Sequence, residues 1–199
     1  MGSSVRSILL QQFNGYLSTG GSNRYYIKDL TWQVKQGEHW VLLGGNGAGK
    51  SALGATLIGE AKQQSGQRHS TFNNLQLVSS DLQKQLLSAN HKSDKPQKVT
   101  DILFSAPEIN NDLCQQLITA LNVDALLNRN FTDLSTGETR KLLLIKALSA
   151  NSDLVVLDEP FDGLDTESTR QLNRLLKQLS THTCFVFVLN RVDETPAFV

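Results

Sequence analysis

Apolar residues recur along the chain with two different periods, and the change between them divides the sequence into three parts. The first part contains partly alternating β-type residues in ILLQQFNGYL and YYIKDLTWQV, which predict two strands. Gly37 marks a turn before the apolar run HWVLLG, which predicts a short third strand. The segment SALGATLIGEA then predicts a helix, because its apolar residues are spaced at helical intervals.

The middle and last parts of the chain differ from the first. From about residue 81 to residue 150 the apolar positions follow a helical period, and the polar stretch at 88–98 predicts an exposed loop. The last part contains two continuous apolar runs, DLVVLDEP and CFVFVL, on either side of the helical pattern ESTRQLNRLLKQLS. Continuous apolar strands separated by helices are typical of a parallel sheet covered on both faces. We therefore predict an α/β core, residues 1–80 and 151–199, interrupted by a helical insertion.

Composition narrows the class of protein without identifying it. The 199 residues are 39% hydrophobic and 19% charged, which is typical of a soluble globular domain. Nineteen basic and nineteen acidic residues balance, so the net charge does not point to nucleic acid or an anionic membrane as the main partner, although a local basic patch is still compatible with it. Cys114 and Cys184 lie in apolar stretches without metal-ligand spacing, which predicts buried free thiols in a reducing cytoplasm.

A glycine-rich segment between the third strand and the helix carries the clearest chemical signal. Residues 44–51 fit the pattern G-x-x-x-x-G-K-[ST], whose backbone N–H groups surround phosphates at the start of a helix. Lys50 is expected to reach the β- and γ-phosphates, and the Ser51 hydroxyl is expected to ligate Mg²⁺. The predicted nucleotide-binding residues of this segment are Gly44, Asn46, Gly47, Ala48, Gly49, Lys50, Ser51 and Ala52.

Two carboxylates end the buried strand LVVLDE. Asp158 is a candidate for holding Mg²⁺ through water, as in P-loop enzymes generally. Glu159 follows it, where a carboxylate could accept a proton from an attacking water. Strands often end in acids for solubility alone, but the phosphate loop earlier in the chain favours the chemical interpretation.

The segment LSTGE, which begins at Leu134, precedes a second helical pattern. Small polar residues and a glycine at a helix start can bind an anion, and they can equally form a plain N-terminal cap. The order of the three segments distinguishes these interpretations, since a phosphate loop, then LSTGE, then an Asp-Glu strand is characteristic of one superfamily.

The chain resembles the ABC ATPases, with LSTGE in place of their usual LSGGQ signature. The resemblance extends over nearly the whole chain, and Gly163, Leu164 and Asp165 match the family's D-loop. More narrowly, LSTGETRK, LDEPFDGLD and LNRVDETP resemble the first half of the ModF-like tandem ATP-binding proteins, a resemblance that implies molybdate transport or a soluble regulatory role. The resemblance implies a P-loop NTPase core with a mostly parallel sheet, an antiparallel β subdomain and a helical subdomain at 81–150.

The same resemblance implies ATP, Mg²⁺ and a partner. In this family two domains pack head to tail, and each nucleotide lies between the phosphate loop of one domain and the signature of the other. Ser135, Thr136 and Gly137 would then contact the γ-phosphate held by a second ABC domain, in a homodimer or a tandem protein. A membrane permease subunit is a further candidate partner, which places the chain in the cytoplasm or at the inner membrane.

An aromatic residue upstream of the phosphate loop usually stacks on adenine in this family. Tyr16 is the first choice, because it lies near the end of the first predicted strand. Tyr25 and Tyr26 are the alternatives.

Three positions depart from the family pattern. Ser80 stands where the Q-loop glutamine is expected, with Gln83 or Gln85 as substitutes. Asn190 stands in place of the switch histidine, and asparagine can donate a hydrogen bond to a phosphate but cannot shuttle a proton. Glu138 replaces the last glutamine of the signature. These changes put fast hydrolysis in doubt but not nucleotide binding.

Three functions follow from these observations. The first is a working ATPase in which Lys50, Glu159 and Asn190 act on ATP, and the second is a slowly hydrolysing module that dimerises on nucleotide. The third, a monomeric P-loop kinase, leaves LSTGE and the D-loop without explanation. Because the family continues with further strands and a helix, the resemblance also implies a chain truncated at its C-terminus.

Overall fold

The computed structural model describes residues 5–18, 24–91, 97–105 and 109–199, which fold into strands, α-helices and short 3-10 helices. The strands are β1 (Ser7–Ser18), β2 (Arg24–Lys35), β3 (Trp40–Leu43), β4 (Lys62–Ser70), β5 (Leu75–Val78), β6 (Leu154–Asp158) and β7 (Cys184–Leu189). The α-helices are α1 (Lys50–Ile58), α2 (Ser80–His91), α3 (Val99–Leu103), α4 (Asn111–Ala120), α5 (Thr136–Leu148) and α6 (Thr166–Leu179). The 3-10 helices are Asp124–Leu126, Phe131–Asp133 and Val192–Glu194.

Strands β1, β2 and β4 form an antiparallel sheet in the order β2-β1-β4. The alternation of β1 buries Ile8 and Leu10, and Phe13 is buried after a shift in the register, which confirms the first predicted strand. The sequence did not predict β4. Its residues are polar and mostly exposed, so they carry no alternating apolar signal.

The predicted parallel sheet is confirmed, with the strand order β3-β7-β6-β5 within the described residues. Every residue of β6 and β7 is buried. Successive side chains point to opposite faces, so Leu154 and Val156 pack with the antiparallel sheet and α1, whereas Val155 and Leu157 pack with the helices. Each face of the sheet therefore packs against its own hydrophobic core, which explains why the apolar runs of these strands are unbroken.

The helical insertion is also confirmed, since α2, α3, α4 and α5 lie between β5 and β6. Its core contains Leu117, Ile118 and Leu121 of the α4 region, packed with Phe131. The prediction of a loop at 88–98 was wrong at its start, because α2 continues to His91, and residues 92–96 lie outside the described part. Among the described residues no helix is long and apolar enough to cross a bilayer.

Gly54 allows α1 to lie close to the parallel sheet. A Cβ atom at this position would stand 2.7 Å from Cγ1 of Val156, which is fully buried in β6. Because a buried branched side chain in a central strand has no free space to move into, α1 tolerates no larger residue here.

Gly54→Val is therefore expected to lower the free energy of unfolding by about 2–3 kcal/mol through overpacking. Denaturant unfolding followed by circular dichroism measures this. Gln178→Val, which places the same side chain on an exposed site of α6, serves as the control and is expected to cost less than about 0.7 kcal/mol. Equal losses in the two variants would contradict the packing argument.

Candidate functional site

Three parallel strands end side by side at one edge of the sheet. Leu43 of β3 pairs with Leu189 of β7, and Asp158 of β6 pairs with Val188 of β7. The residues that follow these strands, which are the phosphate loop, Asn190 and Glu159, are therefore brought together. Ligands of α/β proteins bind at such carboxyl ends.

A cavity of about 250 Å³ lies at this edge. It is lined by the predicted residues Asn46, Gly47, Ala48, Gly49, Lys50, Ser51, Ala52, Asp158, Glu159 and Asn190. The other residues that line the cavity are Leu17, Tyr25, Ser80, Asp81, Arg140 and Asp162. Of the predicted site residues, Gly44, Tyr16, Ser135, Thr136 and Gly137 do not line it.

The phosphate loop turns into α1 at Gly49. This residue is the N-cap of the helix with a φ of 87°, a left-handed conformation that side chains disfavour. The next residue, Lys50, is buried, and its ammonium donates to the carbonyl oxygens of Gly44 (2.7 Å) and Gly45 (3.1 Å) and to Oδ1 of Asn190 (2.9 Å). A fixed positive charge and a helix N-terminus thus face the cavity together.

Ser51, the next residue of α1, and Asp158, the last residue of β6, bring two side chains with oxygen atoms to the same cavity. The Ser51 hydroxyl lies close enough to the Asp158 carboxylate to favour its charged form. Burial raises the pKa of Asp158 above its ordinary value, while Ser51, Arg140 and Lys50 act in the opposite direction.

Glu159 has an unusual backbone. Its φ is 51°, in the left-handed region, which costs a residue with a Cβ atom about 1–2 kcal/mol. Its N–H donates to the carbonyl of Val188 at 2.9 Å, and its own carbonyl accepts a hydrogen bond from Arg140. Partial burial, together with the charges of Asp162 and Asp158, raises the pKa of the Glu159 carboxyl. A base with a raised pKa is suited to proton abstraction near neutral pH.

The aromatic wall of the cavity is Tyr25, which was an alternative in the sequence analysis, and not Tyr16. The hairpin register pairs Tyr25 with Leu17, and pairs Tyr16 with Tyr26. Neighbouring residues of a strand point to opposite faces, so Leu17 and Tyr25 face the cavity and Tyr16 does not. The Tyr16 ring instead contacts Tyr26, at 6.1 Å between centroids, and lies 4.6 Å from the guanidinium carbon of Arg24.

The LSTGE segment forms a capping box at the start of α5. The Ser135 hydroxyl accepts the N–H of Glu138 at 3.3 Å, and the Glu138 carboxylate accepts the N–H of Ser135 at 2.7 Å. These hydrogen bonds lower the pKa of Glu138. The LSTGE segment therefore acts as an N-terminal cap of α5 within its own chain, and this role explains the acidic residue at position 138. Ser135 and Thr136 remain exposed, away from the cavity of their own chain.

The two candidate substitutes for the Q-loop glutamine differ in position. Gln83 is 3% exposed and donates its amide to the carbonyl of Thr136 at 2.7 Å, so it binds the signature segment and not the cavity. Gln85 is exposed on α2. Ser80, at the expected Q-loop position, does line the cavity.

The comparisons with known proteins agree with this geometry. The family model for the ABC transporter matches residues 27–162. The chain belongs to the ABC transporter family. Its ATPase fold and its expected α/β architecture are thereby confirmed.

Individual ABC proteins extend the likeness over most of the chain. The ABC transporter ATP-binding protein ModF of Escherichia coli is 37% identical over 96% of the chain, which spans 41% of the length of that relative. The zinc import ATP-binding protein ZnuC 1 of Aliivibrio fischeri is 30% identical over 84% of the chain and 64% of its own length. An archaeal ribosome recycling factor, solved with a ribosomal stalk protein, has a TM-score of 0.69 at 21% identity, over 94% of the chain and 35% of its own.

Three charged residues that line the cavity, Asp81, Arg140 and Asp162, were not among the sequence candidates. Arg140 could have been found from helix periodicity, since it lies three and four positions before the buried Leu143 and Leu144. Asp162 carries no sequence signal of its own. Its position beside Glu159 depends on the turn after β6.

The electrostatic link between Asp162 and Glu159 is testable. Asp162→Asn removes a negative charge that favours protonation of Glu159, so the pKa of Glu159 is expected to fall towards its ordinary value of 4.5. An NMR titration of ¹³C-labelled glutamate carboxyls, assigned with Glu159→Gln, measures the change. The exposed Asp112, replaced by Asn, provides the control. An unchanged or higher pKa in Asp162→Asn would show that Asp162 does not act on this carboxyl.

Proposed function

We propose that the chain binds and hydrolyses MgATP, and that a second ABC domain completes its site. One observation carries the proposal. The cavity gathers Lys50, Ser51, Asp158 and Glu159, whereas the LSTGE segment lies outside it. A single copy therefore offers a phosphate-binding half and a signature half at separate places.

The residues of the cavity fit ATP and Mg²⁺ by their chemistry. The loop N–H groups, the N-terminus of α1 and the Lys50 ammonium suit the phosphates. Mg²⁺ prefers oxygen ligands and is commonly held by one or two carboxylates together with phosphates, and the adjacent Ser51 hydroxyl and Asp158 carboxylate match that preference. Bound there, Mg²⁺ would neutralise phosphate charge.

Glu159 is the proposed base that orients or deprotonates the attacking water. Its raised pKa and its place on the cavity wall support this role. Lys50 balances the charge that develops on the phosphates. Asn190 can only accept or donate a hydrogen bond, and Ser80 replaces a glutamine, so turnover is expected to be slower than in family members with the usual residues.

The second domain would come from a tandem protein or from a second copy of the chain. The relative ModF is more than twice as long as the matched region, which favours a tandem arrangement. ModF is an ABC transporter ATP-binding protein and ZnuC a zinc import ATP-binding protein, so a membrane permease is a further proposed partner, with the chain at the inner face of that membrane. A role in molybdate transport is supported by the ModF likeness alone.

Tyr25 is the proposed adenine-stacking residue in place of Tyr16. It lines the cavity beside Leu17, its partner on the neighbouring strand, and the residue is 49% exposed and so accessible to a base. Stacking on an aromatic ring is favourable for any base, because every base has a π face.

The variant Glu159→Gln distinguishes a working ATPase from a slowly hydrolysing module that dimerises on nucleotide. The substitution keeps the shape of the side chain but removes its basicity, so phosphate release is expected to fall about 100-fold or more. Size-exclusion chromatography with light scattering is then expected to show an MgATP-dependent dimer of the variant, while the wild type stays mainly monomeric. Phosphate release is measured on the same samples.

The control is Glu60→Gln, an exposed glutamate outside the cavity, which should release phosphate at the wild-type rate. ATP binding with neither phosphate release nor a dimer, in wild type and variant alike, would refute the homodimeric ATPase. A stable wild-type dimer without turnover would instead support the nucleotide-gated module.

The adenine site is tested by paired tyrosine substitutions. Tyr25→Ala is expected to weaken ATP binding by about 5- to 100-fold, the range for loss of one stacked base. Tyr16→Ala is expected to change it by less than about threefold, since its ring faces away from the cavity. Calorimetric titration with ATP and with inorganic triphosphate measures both effects. If triphosphate affinity falls equally in Tyr25→Ala, the residue does not act on the base.

A further inference from the structure

A buried arginine connects the signature helix to the end of β6. Arg140 on α5 is 8% exposed, and its Nη2 donates to the carbonyl oxygen of Asp158 at 2.5 Å and to that of Glu159. Its Nε has no hydrogen-bond partner among the described residues. Burying a guanidinium costs free energy unless its donors form hydrogen bonds. This guanidinium is directed at two consecutive carbonyls beside the cavity.

The peptide that Arg140 contacts is the one with the unfavourable backbone. Glu159 has a φ of 51°, and β7 holds its N–H through the carbonyl of Val188. The guanidinium of Arg140 donates a hydrogen bond to the carbonyl oxygen of Glu159. The left-handed conformation of Glu159 is thus fixed from two elements, β7 on one side and α5 on the other.

The start of α5 is itself anchored. Arg140 lies one helical turn after Thr136, the first residue of α5, and the Thr136 carbonyl accepts the amide of buried Gln83. Gln83 belongs to α2, whose first residues Ser80 and Asp81 line the cavity. Hydrogen bonds therefore join α5 both to the end of β6 and to α2, the helix whose first residues line the cavity.

We propose that Arg140 is a positioning residue that holds the backbone of Glu159 so that its carboxylate faces the cavity. Through α5 it connects this carboxylate to the LSTGE segment of the same chain. A second domain that binds LSTGE at its own nucleotide would thereby act on Glu159, which belongs to the other nucleotide site. The proposal rests on the proposed function, in which Glu159 acts on water.

The test compares Arg140→Gln and Arg140→Lys with the control Arg170→Gln, an exposed arginine of α6. In Arg140→Gln, kcat for phosphate release is expected to fall about tenfold or more, with KM and the MgATP dissociation constant within about threefold of wild type. Arg140→Lys should recover part of kcat, since an ammonium keeps the charge and donors. A purely structural role would weaken ATP binding and turnover together, and that result would overturn the proposal.

A second measurement keeps the two proposals distinguishable. In ¹H–¹⁵N spectra with MgATP, Arg140→Gln is expected to shift the amide resonance of Glu159 and to change its HN–Hα coupling constant. The amide resonances of Gly47 and Gly49 are expected to stay unchanged. Absence of turnover in the wild type would defeat the proposed function but leave this test intact. An unmoved Glu159 resonance, or a wild-type kcat in Arg140→Gln, overturns the role of Arg140.

Discussion

The buried ammonium of Lys50 links the elements on which the site depends. An ammonium has three donors, and here they meet three oxygens: the carbonyls of Gly44 and Gly45 after β3, and the amide oxygen of Asn190 after β7. A buried charge without such partners would be too costly. The hydrogen bonds therefore require that β3 and β7 lie side by side and that α1 begin at their common edge. The close packing of Gly54 on Val156 fixes the same helix on the sheet.

The end of β6 brings negative charge to the same cavity. Asp158 and Glu159 lie next to each other at the end of β6, and burial raises the pKa of both. The positive groups around them, Lys50 and Arg140, lower the pKa of Asp158, and Lys50 also lowers that of Glu159. This balance suits a site in which one carboxylate supports a cation and the other accepts a proton.

The signature segment has two roles in this structure. It caps α5 through Ser135 and Glu138, and it presents exposed polar groups away from its own cavity. These roles are compatible, because a capped helix start is rigid and still directs N–H groups outward. The hydrogen bonds of Gln83 and Arg140 join that rigid start to α2 and to the end of β6. The chain belongs to the ABC transporter family and spans 41% of the length of its relative ModF.

The sequence by itself determined the class of fold and most of the phosphate side of the site. Glycine spacing, the unbroken apolar runs of β6 and β7, and the helical period of the insertion are local patterns, so Lys50, Ser51, Asp158 and Glu159 could be predicted. The polar strand β4 could not be predicted, because an exposed edge strand needs no apolar alternation. Only the tertiary structure decided that Tyr25 and not Tyr16 faces the cavity, since a change of one residue in a strand reverses the face. It also decided that Arg140 and Asp162 join the site, because their contacts with Glu159 depend on how α5 and the turn after β6 meet at the edge of the sheet.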